Sequence, residues 1–302
     1  MIRARRPLLQ GRGGSGQLGI GTSVNFPTPK LVANVSLTAV AVGKVAVCAV
    51  TSSSPSNWTI GAQPPTPPQP KLASCWGTNG YGQFGDNTAT GRTQTPVTTT
   101  APTYKAMSVS ETTVCVIDTL DVLSCWGDSN VNGKLGNGAT GAESYTPTPV
   151  TGAATWADVY ATGTYTCGIQ TNGSLFCWGF QDAGGQLGLG TATQMSKAIP
   201  TIVRANATWA SLPVRGFSGK HTCAIQSDGS LWCWGPNTVG QLGDGTLVTR
   251  TSPTLVALPG AMWTKVTVGI EHTCAIHSNA TLWCWVRLLC SCCELRCEEL
   301  VW

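Results

Sequence analysis

Hydrophobic positions in this chain come in short β-branched or aromatic runs, such as "TKVTVG", "HTCAIH" and "TLWCW", each bounded by turn residues. Runs of that length and type predict strands. The runs recur on a ruler. A "CWG" anchor starts at Cys75, Cys125, Cys177 and Cys233, a degraded "CWV" starts at Cys284, and the intervals lie between 50 and 56 residues. Each "CWG" is followed by a glycine-rich loop: "GYGQFGDNT", "NGKLGNGAT", "GGQLGLGT" or "GQLGDGT". A further loop, "SGQLGIGT" at residues 15–22, stands near the N-terminus without its own anchor.

The unit reads as large side chain, strand, cysteine, strand, turn, strand, Cys-Trp-Gly, loop and Pro-rich strand. Its first position is held by Leu37, Tyr104, Trp156, Trp209 and Trp263. Three or four strands per repeat of about 50 residues predict an all-β fold, a β-propeller of four-stranded blades. About five blades are present, as a partial or open ring. The expected organisation is a leader over residues 1–13, a repeat propeller over 14–285 with a Pro-rich loop insertion at 51–71, and a Cys-rich tail over 286–302. The N-terminal loop and strand could complete the last blade, which stops after "TLWCW"; alternatively the chain is a fragment folded as an open arc.

The cysteines carry a geometric signal. Cys223 and Cys233 are symmetric about Asp228 in the turn "SDG", Cys167 and Cys177 about Asn172, Cys274 and Cys284 about Asn279, and Cys115 and Cys125 about Leu120. A three-residue turn with Gly229 left-handed places such partners opposite each other. With Gln226 and Ser230 as the hydrogen-bonded closing pair, the cysteines form a non-hydrogen-bonded pair with Cα atoms about 4.5 Å apart, within disulfide reach. The expectation is a cross-strand disulfide in each hairpin: Cys115–Cys125, Cys167–Cys177, Cys223–Cys233, Cys274–Cys284 and, across the insertion, Cys48–Cys75. Small apolar packing would impose no such pairing.

Composition adds a compartment. Ten of the fourteen cysteines, read as five pairs, imply an oxidising environment, extracellular or cell surface. Asn34, Asn57, Asn172, Asn206 and Asn279 each begin an Asn-x-Ser/Thr and are candidate glycosylation sites. Charged residues make up only 11% and the net charge is +4, with no dense basic run beyond "RARR", so no nucleic-acid partner is expected. No run approaches the ~20 apolar residues of a membrane span, and no secretory signal is visible.

Several motifs invite chemistry and are better explained by structure. "GYGQFG" and "GSGQLG" match a dinucleotide fingerprint, but no helix follows to receive a pyrophosphate. Their glycines suit tight turns, while Leu18, Phe84, Leu135, Leu187 and Leu242 plug the core. Asp86 and Asp244 stand where other copies have Asn137, Leu189 and Ile20, so a turn role is expected rather than a metal site. His221 and His272 share a repeat position with Tyr165 and Thr113, which predicts a half-buried packing site rather than a catalytic base. Cys290, Cys292, Cys293 and Cys297 lack the two separated knuckles of a zinc site. No catalytic residue, cofactor or metal is expected, and the chain is read as a non-enzyme.

"HTCAIQSDGSLWCWGPNTVGQLGDGT" resembles the regulator of chromosome condensation repeat family, whose superfamily includes the β-lactamase-inhibitor propellers; the likeness covers about residues 14–285. It implies a propeller, usually of seven blades, that works mainly by binding proteins. The paired cysteines look like the secreted or cell-surface variant. An intracellular exchange factor or adaptor acting on a small GTPase, in cytoplasm or nucleus, is the alternative that the resemblance also implies. No exchange-factor contact residue can be placed on this sequence.

Overall fold

The computed structural model describes residues 8–11, 13–32, 37–44, 46–51, 72–98, 104–127, 130–141, 143–214, 220–258 and 260–286. The chain begins with a two-stranded sheet, β1 (Leu8–Gly11) and β2 (Phe26–Leu31). Four four-stranded antiparallel sheets follow. Blade one is β3 (Leu37–Val42), β4 (Ala46–Thr51), β5 (Leu72–Thr78) and β6 (Arg92–Thr98). Blade two is β7 (Tyr104–Val109), β8 (Thr113–Asp118), β9 (Leu123–Gly127) and β10 (Ser144–Pro149). Blade three is β11 (Trp156–Ala161), β12 (Tyr165–Gln170), β13 (Leu175–Gln181) and β14 (Met195–Val203). Blade four is β15 (Trp209–Ser211), β16 (Thr222–Gln226), β17 (Leu231–Gly235) and β18 (Arg250–Leu255). The last sheet, blade five, has three strands: β19 (Trp263–Val268), β20 (Thr273–His277) and β21 (Leu282–Trp285).

Each blade is an antiparallel meander, its strands paired in chain order. One face of a strand cannot be buried by its own sheet, so blades stack: β7 packs on β3 and β4, β11 on β7 and β8, and β19 on β16. The core fills the gaps between blades, with Trp76, Trp156, Trp178 and Trp234 among its largest fully buried side chains. Leu18, Phe84, Leu135, Leu187 and Leu242 are all buried there.

The N-terminal pair is more than a loose strand. Its register, Leu8 opposite Leu31 and Gly11 opposite Phe26, reproduces that of blade four, where Trp232 faces Leu255 and Gly235 faces Arg250. Every one of these residues maps onto its counterpart at a constant offset of 224 positions. "LLQG" therefore occupies the place of "WCWG", and β1–β2 is the outer half of a further blade. Strand pairing thus starts inside the stretch expected as a leader. β2 is paired with β1, and β19–β21 form a separate sheet, so no mixed blade is paired among the described residues. The Pro-rich insertion lies, apart from Thr51 at the end of β4, outside the described residues. So do Asn34, Asn57 and the four tail cysteines, Cys290, Cys292, Cys293 and Cys297.

Candidate functional site

The residues that stay constant from blade to blade are consumed by the seams between blades. In the glycine loop the backbone reaches forward to the tryptophan of the next "CWG". Trp76 Nε1 donates to the Gln17 carbonyl at 2.9 Å, Trp126 to Gln83 at 3.1 Å and Trp178 to Lys134 at 3.0 Å. Trp234 and Trp285 donate to Gln186 and Gln241, each at 2.9 Å. Where the second strand offers a threonine, its hydroxyl donates to the same carbonyl: Thr166 to Lys134, Thr222 to Gln186 and Thr273 to Gln241. The following glycine lies flat against the indole. A Cβ at Gly188, whose φ is +73°, would sit 2.6 Å from Trp234 Nε1. No other residue type fits that contact without displacing the ring.

A buried amide shapes each loop from within. Asn237 Oδ1 accepts from the Leu242 N–H at 2.9 Å, and its Nδ2 donates to the Thr246 carbonyl at 2.9 Å. Asn79, Asn130 and Gln181 bind their own loops in the same way. These amides and the seam tryptophans were not singled out from sequence as structural keys. Their partners lie in loops or neighbouring blades that a single repeat does not reveal, although both ends recur at every period.

The five cysteine pairs lie opposite each other in their hairpins, with sulfurs 2.12–2.17 Å apart and Cα atoms 4.0–4.1 Å apart. Four pairs are buried; Cys284, on the outermost strand of blade five, is exposed. The three-residue turns have their last residue left-handed: Asp121, Gly173, Gly229 and Ala280, with φ between 68° and 85°. Asn172, Asn206 and Asn279 are exposed.

The shared histidine position departs from a half-buried site. Thr113, Tyr165 and His221 are fully enclosed because the neighbouring blade covers them, whereas His272 in blade five is exposed. His221 Nε2 lies 2.6 Å from Thr273 Oγ1. Burial, reinforced by the charge of His272, pushes the His221 imidazole down to about 4. A histidine locked neutral between two blades is a packing group. Asp244 caps its turn by accepting from the Thr246 N–H at 3.0 Å and pairs with Arg250 Nε at 2.7 Å, which holds its carboxyl below the usual range despite partial burial. Asp86 accepts from the Thr88 N–H in the same manner. Among the described residues no group of three His, Cys, Asp or Glu side chains could hold a metal ion. No helix there is long and apolar enough to cross a membrane.

What varies between copies lies on the surface. Leu120 at one hairpin tip is 78% exposed, and Val131, Leu247, Val248 and Ile270 project from loops that carry other residues in other blades.

Comparison with known proteins agrees with this architecture. Residues 228–276 match the model of the regulator of chromosome condensation (RCC1) repeat. The RCC1 domain-containing protein RUG3, mitochondrial, of Arabidopsis thaliana is 30% identical over 134 residues, covering 42% of this chain and 29% of that protein. This chain therefore spans less than a third of that relative. The crystal structure of human WBSCR16 superposes with a TM-score of 0.76 at 17% identity, over 94% of this chain and 74% of that one. Prp20p of Saccharomyces cerevisiae, whose binding to Gsp1p and histones has been described with its structure, gives 0.62 at 15% identity, over 95% and 82%. The loop of each copy seals the tryptophan of the next, and with these likenesses the chain is an RCC1-like propeller that carries a regulator of chromosome condensation repeat at residues 228–276.

Proposed function

We propose that this chain is a non-catalytic propeller scaffold that recognises a protein partner through its blade-end loops. One observation carries the reading: the invariant positions are spent on seams and turns, while the variable loop positions present exposed apolar side chains, Leu120, Val131, Leu247, Val248 and Ile270. Loops that vary on a constant scaffold, here carrying exposed apolar side chains, are where binding residues concentrate. The paired cysteines and the exposed Asn172, Asn206 and Asn279 support an extracellular or cell-surface setting.

A photo-crosslinking residue placed at Val248 tests the reading. A discrete adduct, lost on Leu247→Asp in an otherwise folded chain, is expected; adducts only from buried control positions would overturn it. The second reading, exchange on a small GTPase, is favoured by the likeness to Prp20p. It predicts accelerated release of a fluorescent guanine nucleotide from a GTPase panel and reduced cysteines in the isolated protein.

A further inference from the structure

Blade three breaks a rule that its neighbours keep. After the outer strand of blade two, the Thr151 N–H donates to the Gly136 carbonyl at 2.9 Å, and after that of blade four Ala257 donates to Gly243 at 2.8 Å. Those bonds sew the strand end to the blade's own glycine loop. The equivalent residues in blade three are Arg204 and Gly188, and that bond is not made among the described residues. Arg204 instead turns to a φ of 50°, a left-handed conformation that costs an arginine, and lays its guanidinium 4.1 Å from the ring centre of Trp232. Beside it, between blades three and four, lies a cleft of about 590 Å³.

The cleft has a defined chemistry. Leu189, Met195, Ile202 and Pro253 supply apolar walls, and Gly188 lies beside them. Two cations, Lys197 and Arg204, line it, and no carboxylate does. Neither cation joins an ion pair among the described residues. Lys197 pairs opposite Gly179 and Arg204 directly follows the last residue of β14, so the two cations stand at opposite ends of the strand segment that lines the cleft. A backbone strained where the equivalent residues of blades two and four are not, with a cation laid against an aromatic ring, is the kind of local departure that functional sites retain.

We propose that this cleft binds a short extended peptide segment of a protein partner, with carboxylates near both ends and apolar side chains between them. The proposal rests on the scaffold reading and gives the partner its chemistry. Arg204 and Lys197 pair with the carboxylates, and the apolar side chains fill the cleft over Leu189 and Ile202.

The probe is a fluorescein-labelled octapeptide with Glu at positions 1 and 8 and Leu, Ile and Ser between, titrated with the full chain by fluorescence polarisation. A counterpart with Gln at both ends is the control. Saturable binding, at least tenfold weaker for the Gln peptide and weakened tenfold or more by Lys197→Glu, is expected. Arg204→Gly removes the cation and the left-handed strain together, so it should raise the melting temperature while lowering affinity by the same order. Equal binding of both peptides, no binding of either, or affinity indifferent to both substitutions would overturn the proposal. So would seating of a second copy, seen as a dimer that Lys197→Glu dissociates. Loss of the Val248 adduct bears on the scaffold reading, whereas these outcomes bear on the cleft alone.

Discussion

Trp234 of blade four and Gln186 of blade three, 48 residues apart, are joined by an indole N–H donated to a buried backbone carbonyl at 2.9 Å. Gly188 lies against the same ring. The contact works only while position 188 has no side chain and its backbone stays left-handed. Gly188→Ala adds left-handed strain and overpacking, a loss of about 2–4 kcal/mol. Trp234→Phe keeps most of the apolar bulk but leaves the carbonyl to Thr222 alone, costing about 1–3 kcal/mol. Urea unfolding of both variants checks the ranking; a Gly188→Ala variant as stable as the parent would contradict the seam.

Cystine pairing is the most direct chemical check. Peptide mapping without reductant should recover Cys48–Cys75, Cys115–Cys125, Cys167–Cys177, Cys223–Cys233 and Cys274–Cys284 as linked pairs. Brief dithiothreitol treatment of the folded protein should open Cys274–Cys284 first, because Cys284 is exposed and the other pairs are buried. Replacing Cys167 and Cys177 together by Ser should cost on the order of 2–3 kcal/mol in the chain-entropy account of an 11-residue loop.

His221 predicts an acid-side loss of stability. Its imidazole titrates near 4 in the fold against 6.5 in the unfolded chain, so the unfolded state takes the proton first as pH falls. Stability contributed by the neutral ring is complete above about pH 6.5 and drains away between 6.5 and 4, by on the order of 3 kcal/mol in all. Asp158 acts in the opposite sense, since burial raises its carboxyl and the strain of ionising it is relieved as pH falls. His221→Gln, which can still reach Thr273, should flatten the slope of unfolding free energy in that window. An unchanged slope would remove His221 as its source.

Ala280 closes the hairpin of blade five with φ at 70°, where Gly229 and Gly173 do the same work in blades four and three at 85° and 84°. An alanine pays for a left-handed backbone that glycine adopts freely. Ala280→Gly should therefore stabilise the protein by about 1 kcal/mol, read as a higher melting temperature. A fall in melting temperature would show that unfolded-chain entropy outweighs the relief of strain.

Much of this molecule is legible in its period. Spacing alone places Cys223 opposite Cys233 and assigns Asp244 to a turn, because each depends on contacts within a single repeat; Leu242 is legible as a core plug because its loop recurs in every copy. A repeat says what a blade is. It does not say what the blade meets. The neighbour that encloses His221, the carbonyl that receives the Trp234 indole and the register that turns "LLQG" into a strand of a further blade all lie about one period or more away. The left-handed turn at Arg204 is likewise invisible in sequence, since the bond that two other blades make at that position is not made there. Local pairing and turn chemistry were determined by the sequence itself. Burial, seam partners and the open cleft were decided by the tertiary structure, because they exist only once separate repeats are packed face to face.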